Sequence, residues 1–421
     1  MIMKRDLITL LIILSFSLQG MSQKTEILHL SVGSGNFERI NSPVSFGLES
    51  VSISDTLSFQ LFEKVNGKLV QKIFQIEPGY IPQLWWILDG TTAPGKTREY
   101  ILFKDAPQKF ENKITTVVTP ESIVLKNGND DVLHYQTAVM YPPAKIDTAY
   151  KRSGFIHPLM TPSGNILTRV SPPDHYHHVG IWNPWTRVRI GKHVTDFWNL
   201  YEKQGTVRFA GINSIVSGPV YGEFSVRQEH IDFQGKNHNE LTFNEVWDVR
   251  AWNTEPVAGA KVWLVDLTSF LSVAGDSTII LEAYRYGGGI GYRATDEWNK
   301  DNSWMNTSEG KKRINADGTK SRWTDVGGVF KDKGTSGIVF FSHPSNREYP
   351  EPMRVWPENQ NGHGDVYFQF TPIRYHDWVL NPGKVYTQRY RMLVYDGKID
   401  PAVSERVWTD FAYPPTVKIS K

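Results

Sequence analysis

No cysteine occurs anywhere in the 421 residues. Disulfides, thiol catalysis and lipid attachment at a cysteine are excluded together. Long apolar runs are nearly as scarce: apart from Leu7 to Leu18, broken by Thr9, Ser15 and Ser17, nothing approaches the roughly 20 residues that cross a bilayer as a helix. A membrane span is therefore not expected. Neither charge sign dominates, with 46 basic against 44 acidic residues and no basic run longer than Lys311-Lys312-Arg313. That balance gives no reason to expect nucleic acid as a partner.

The one apolar run that exists follows Lys4 and Arg5 and precedes Gly20-Met21-Ser22, the pattern of a signal peptide over residues 1–22. The expected product is an exported protein, periplasmic, secreted or associated with the cell surface, that starts near Gln23 and is held by its core alone.

Long amphipathic helical patterns are missing as well. Short runs rich in Val, Ile, Phe, Tyr and Trp recur between Gly, Pro, Asn and Asp punctuation: Asp55 to Glu63, Gly67 to Glu77, Tyr100 to Lys104, Lys113 to Val118, Gly222 to Phe233, Glu240 to Trp252, Lys261 to Val273, Ser277 to Tyr286 and Lys384 to Tyr395. The fold class expected is all-β, a large antiparallel β-sandwich with few helices. A boundary near Pro107 to Pro120 separates an N-terminal β region, residues 23–115, from a main sandwich, residues 116–421; one sandwich built from every strand is the alternative. Lys145 to Tyr150 and Asp296 to Lys320 read as loops, the second long enough to be functional.

Against this background one stretch stands out. Asp174-His175-Tyr176-His177-His178 follows Pro172-Pro173 and leads into Val179-Gly180-Ile181-Trp182, and His193 lies beside Asp196 and Trp198, so four of twelve histidines fall within nineteen residues. Imidazole is the side chain best suited to proton transfer and metal binding near neutral pH. Read as a strand, the stretch places His175 and His177 on one face and Tyr176 and His178 on the other. The first pair can then hold a divalent metal, with His343, His193 or Glu282 as a distant third ligand. The structural alternative is that the imidazoles bond carbonyls at a strand end.

Two further groups carry chemistry. Gly287-Gly288-Gly289-Ile290-Gly291-Tyr292-Arg293 offers a close backbone approach, a guanidinium able to grip a carboxylate in two-pronged fashion and a phenol whose pKa a cation can lower. It lacks the spacing of a nucleotide loop, and a plain bend in the sheet is its structural reading. Phe340-Phe341-Ser342-His343-Pro344 ends an apolar strand in a histidine beside a proline.

His157-Pro158-Leu159, Thr161-Pro162-Ser163-Gly164, the histidine stretch, Asp196-Phe197-Trp198, Gly289 to Arg293, Trp323-Thr324-Asp325, Ser342 to Asn346 and Tyr390 to Gly397 together resemble the exported bacterial PmoA-like family, over roughly residues 150–400. The resemblance implies an exported β-sandwich protein of polysaccharide-degrading bacteria, similar to the supersandwich of sugar mutarotases. It does not imply the methane oxidation in the family's label, because a membrane oxygenase needs several spanning helices.

The reading that follows is an exported enzyme acting on oligosaccharides by elimination, a lyase or dehydratase at a uronic acid or oxidised sugar. His177 or His178 is the base, Arg293 holds the substrate carboxylate, and Tyr292 or His343 protonates the leaving oxygen. Trp182, Trp198 and Asp174 complete the binding surface, and a divalent metal at His175 and His177 is the possible cofactor. Glycoside hydrolysis or epimerisation is the runner-up, though hydrolysis wants a carboxylate pair that Glu245, Glu282 and Asp325 do not visibly form. A non-catalytic glycan binder with Trp182, Trp185 and Trp198 as platforms is the third.

Overall fold

The computed structural model describes residues 24–49, 59–105, 109–236, 238–257 and 259–420. The signal-peptide reading lies outside the described residues.

Two antiparallel sheets make the centre of the molecule. The first has eight strands in the order Gly205–Val216, Tyr221–Asp232, Glu240–Trp252, Val262–Val273, Val385–Asp396, Gly334–Ser342, Trp323–Phe330 and Ser303–Thr307. The second has nine, with Gly291–Arg293, Ile181–Trp182 and Phe155–Leu159 at its middle. Alternation explains why these segments are strands: along Val262–Val273 every second side chain after the start is buried while its neighbours are only partly covered. Trp247, Val265, Phe340 and Met392 from the first sheet meet Leu133, Tyr135, Ile156 and Ile181 from the second in one core. Fully burying an aliphatic side chain of this size stabilises by about 1.5–3 kcal/mol. The architecture is the large antiparallel β-sandwich expected from the sequence.

A smaller sandwich precedes it, its five-stranded and three-stranded sheets closing over Leu30, Leu61, Leu84, Trp86 and Leu102. Its outer strand is not N-terminal. Thr416–Ile419 pairs antiparallel with Thr25–Gly33, so a cut at residue 115 misplaces this last strand. Arg39 binds Asp410 at 2.7 Å between the small sandwich and the helix Pro401–Ala412, both side chains nearly sealed.

That helix is absent from the strand pattern read above. Asp400 caps it by accepting from the Ala402 N–H at 2.7 Å, Pro401 sits at its first turn, and Val403, Val407 and Trp408 pack against Trp323, Val339 and Leu393. Asp296 to Lys320 also departs from the expected loop, forming the strand Ser303–Thr307 and a single helical turn, Arg313–Ala316. The buried Arg313 guanidinium donates to the carbonyls of Trp356, Pro357, Gly364 and Asp365. It thereby fixes the segment that walls the site described next.

Candidate active site

Residues 172–179 do not form a strand. Ser171 adopts φ 47°, the His175 N–H donates to Pro172 O at 2.9 Å and the His178 N–H to His175 O at 3.0 Å, so successive tight turns replace the alternation of an extended chain. Gly180 ends the stretch at φ 69°, where a Cβ would come within 2.2 Å of Ile156 O. Because the chain curls, all three imidazoles converge: ring centroids lie 4.8 Å apart for His175–His178 and His177–His178, and 5.4 Å for His175–His177. The expected split of His178 to the opposite face is corrected accordingly.

The rings look into a pocket of about 140 Å³ whose walls add Trp198, Asn199, Tyr284, Tyr286 and Trp356. Asp196 shapes one wall by accepting from the Trp198 and Asn199 N–H groups at 2.8 and 2.9 Å. Opposite, the Tyr286 hydroxyl oxygen accepts from Arg354 Nη2 at 2.9 Å and Trp356 Nε1 at 3.2 Å, with the Arg354 guanidinium 4.7 Å from the ring centre. A phenol oxygen that accepts two N–H bonds keeps its own proton free to donate.

His175 is the one of the three imidazoles with an orienting carboxylate. Its Nδ1 lies 2.8 Å from Asp174 Oδ2. Burial opposes ionisation of Asp174, but the His175 hydrogen bond and the Arg293 charge outweigh it and hold the carboxyl at about 2. An ionised carboxylate only accepts, so Nδ1 carries a proton and Nε2 is the ring nitrogen left for a substrate. Burial, then the adjacent His175, push His177 down to about 3 against the pull of Asp174. Burial and the charges of His177 and Arg293 push His178 well below its ordinary value, and neither of its ring nitrogens has a partner. Both are neutral at pH 7, yet too weakly basic to lead proton abstraction.

Arg293 does not face the pocket. It is 1% exposed, spans Asp174 at 2.8 Å and Asp365 at 3.3 Å, and packs over Trp356 at 4.7 Å. Asn361 Nδ2 joins both carboxylates at 2.9 Å. Its expected grip on a substrate carboxylate is therefore replaced by a grip on Asp174, which makes it a positioning residue for His175. Tyr292, one residue earlier on a strand, points the other way into the core, donates to Leu167 O at 2.7 Å, and is pushed well above its usual pKa by burial. It is no acid for this pocket. His343 is equally remote from it, bonded to Ser345 and set edge-on 5.1 Å from Phe411 of the C-terminal helix. Trp182 is fully buried behind His178, 5.2 Å away, so of the two named indoles only Trp198 lines the pocket.

The remaining sequence candidates lie apart. His193 pairs with Asp232 at 2.7 Å, and Glu282 with Arg187 and Arg189. Among the described residues no group of three or more His, Cys, Asp or Glu side chains is placed to hold a metal ion. The glycine run is a packing device: Cβ atoms on Gly288 and Gly289 would meet the Trp185 ring at 1.9 Å and Phe370 O at 2.1 Å. Tyr286, Arg354 and Trp356 were not singled out in the sequence, although Arg354-Val355-Trp356 between Pro352 and Pro357 is a cation and an indole at a strand end, the kind of position that faces a ligand.

A β-sandwich carrying a histidine and aromatic pocket on the segments that connect its strands is thus the class that fold and site define. The chain belongs to the family described as "Family of unknown function (DUF6807)", which matches residues 122–409 and includes every pocket residue. This match does not carry the PmoA-like label. Comparison with curated proteins gives no match. Among solved structures, the chain is similar to a protein in the glycosyl hydrolase family 38 from Enterococcus faecalis, at 8% identity and TM-score 0.50, over 94% of this chain and 47% of that one. An alpha-mannosidase from Enterococcus faecalis V583 gives 8% identity and TM-score 0.48, over 93% and 46%. The chain spans about half the length of each, and the first likeness shows the sandwich fold alone. No helix among the described residues is long and apolar enough to cross a membrane.

Proposed function

We propose that the protein is an exported carbohydrate-active enzyme that cleaves a carbon–oxygen bond by elimination in this pocket. One observation carries the reading: the pocket wall holds an imidazole oriented by a carboxylate and a phenol backed by an arginine, and no carboxylate. In the step proposed, His175 Nε2 takes the proton from the sugar carbon next to a carbonyl or carboxylate. The electrons form a double bond to the neighbouring carbon, its C–O bond breaks, and the departing oxygen takes the Tyr286 proton.

Hydrolysis is the second reading, favoured by the sandwich shared with the Enterococcus faecalis glycosyl hydrolase family 38 protein. It would need two carboxylates flanking the bond, about 5 to 9.5 Å apart, whereas Asp174 is turned toward Arg293. Incubation with a panel of oligosaccharides, some carrying uronic acid, followed by mass spectrometry separates the readings. Elimination gives an unsaturated fragment with no water added, hydrolysis adds one water across the fragments, and unchanged sugar leaves only binding. A water-added product as the main species would overturn the proposal.

A further inference from the structure

With Arg293 committed to Asp174 and Asp365, a second buried arginine has no such duty. Arg152 is 3% exposed, fixed by backbone hydrogen bonds to Met140 at 2.8 and 3.0 Å, and its Nε and Nη1 have no hydrogen-bond partner. An unpaired charge in that environment is costly unless something compensates it. The nearby carboxylate does so only in part. Glu245 receives hydrogen bonds from Asn183, Trp247 and Ser269 on one oxygen and from His230 on the other, and it makes no ion pair with Arg152. Burial pulls Arg152 down to about 10, although Glu245 and Tyr135 act in the opposite direction.

Arg152 lines a separate cleft of about 240 Å³ together with Lys151, Ser153 and Arg208, and no carboxylate contributes to its wall. The Ser153 hydroxyl accepts from the Phe209 N–H at 3.0 Å, which leaves its own proton to donate. The cleft is therefore rich in donors and positive charge, with Arg208 alone already paired, to Glu229. Tyr150, two residues before Arg152, stacks on Tyr201 at 5.7 Å and leans on Tyr176 at 5.5 Å. Those two tyrosines flank Asn199 and the histidines in sequence, so an aromatic strip joins the segment bearing Arg152 to the rim of the candidate active site. Cations beside aromatic faces suit a sugar that carries an acid.

We infer that the Arg152 cleft is a subsite for the carboxylate of a uronate unit, held by Arg152 and Ser153. The inference deepens the carbohydrate reading above and names the charge its substrate carries; binding alone, measured without turnover, tests it apart from the elimination step. In titration calorimetry of the full chain at low ionic strength, sodium glucuronate should bind and glucose should not. Arg152→Met should weaken glucuronate by about tenfold to a hundredfold, the worth of charge-assisted hydrogen bonds, while His175→Ala keeps it. Salt should weaken the wild-type complex. No glucuronate binding by the wild type, equal binding of glucose, or wild-type affinity in a folded Arg152→Met overturns the inference. If Arg152→Met fails to fold, Ser153→Ala and Arg208→Gln decide: loss of affinity in both supports the subsite, and unchanged affinity in both overturns it.

Discussion

His175 and His230 each lean on a carboxylate at nearly the same distance, 2.8 Å to Asp174 and 2.7 Å to Glu245. The first pair lines a pocket, and its carboxylate is in turn held by Arg293 and Asn361. The second is sealed inside the large sandwich at 0% exposure on both sides, its carboxylate saturated by Asn183, Trp247 and Ser269. An imidazole–carboxylate pair is thus neither catalytic nor structural in itself. Access separates the two, the His175 side chain being 30% exposed and that of His230 0%.

The comparison breaks most visibly in the core. Glu245→Ala leaves His230 and three donors without their acceptor, and equilibrium unfolding in urea should show a loss of about 3–5 kcal/mol. A loss below about 1 kcal/mol would mean the inner pair carries no structural burden. At the pocket the expectation inverts: His175→Ala should cost about 10²- to 10⁴-fold in turnover with stability within about 0.5 kcal/mol of wild type. Wild-type turnover in that variant removes His175 from the chemistry.

Acid should sharpen the contrast further. His177 is held at about 3 when folded against 6.5 for the free side chain, so the unfolded chain binds more protons between those values and stability rises with pH across that window. Asp174, at about 2 against 3.8, acts in the same sense lower down, its contribution lost as pH falls from about 4 to about 2. Melting temperature should therefore climb between about pH 3 and 6.5, and His177→Phe should flatten the climb. An unaltered slope in that variant would place the titrating group elsewhere. The smallest effect is assigned to Tyr292→Phe, which removes one buried hydrogen bond, costs about 0.5–1.5 kcal/mol, and should leave turnover untouched. A large drop in rate there would restore it as an acid.

Much of the fold was legible because sheets advertise themselves at period two: Tyr221–Asp232, Glu240–Trp252 and Val262–Val273 lie within a residue of their expected limits. The C-terminal helix was legible too, in Asp400-Pro401 followed by Val403, Val407 and Trp408 one turn apart, but twelve residues among so many strands were overlooked. At the site, the histidine stretch drew attention by density alone, and Pro172-Pro173-Asp174 before it is a turn signal that argues against the strand assumed there. Tyr292 and Arg293 could have been separated in advance, since neighbours on a strand cannot share a face. Arg354 and Trp356 carry a local signal at their strand end, but their meeting with His175 was not legible, because it rests on the pairing of Gly291–Arg293 with Tyr367–Phe370 and of that strand with Glu351–Val355, a product of sheet order rather than local pattern.

The strand Thr416–Ile419 sets a clock on biosynthesis. The small sandwich is translated first, yet the edge of Thr25–Gly33 that this last strand covers stays open until some three hundred further residues have left the ribosome. During that interval a row of unpaired backbone groups is on offer to any passing chain, and the contact that finally shields it is among the most distant in sequence that the molecule makes. Newly made protein should for that reason be most prone to misassembly before Thr416–Ile419 pairs, since that strand, itself the outer edge of the sheet, replaces a nine-residue open edge by a four-residue one.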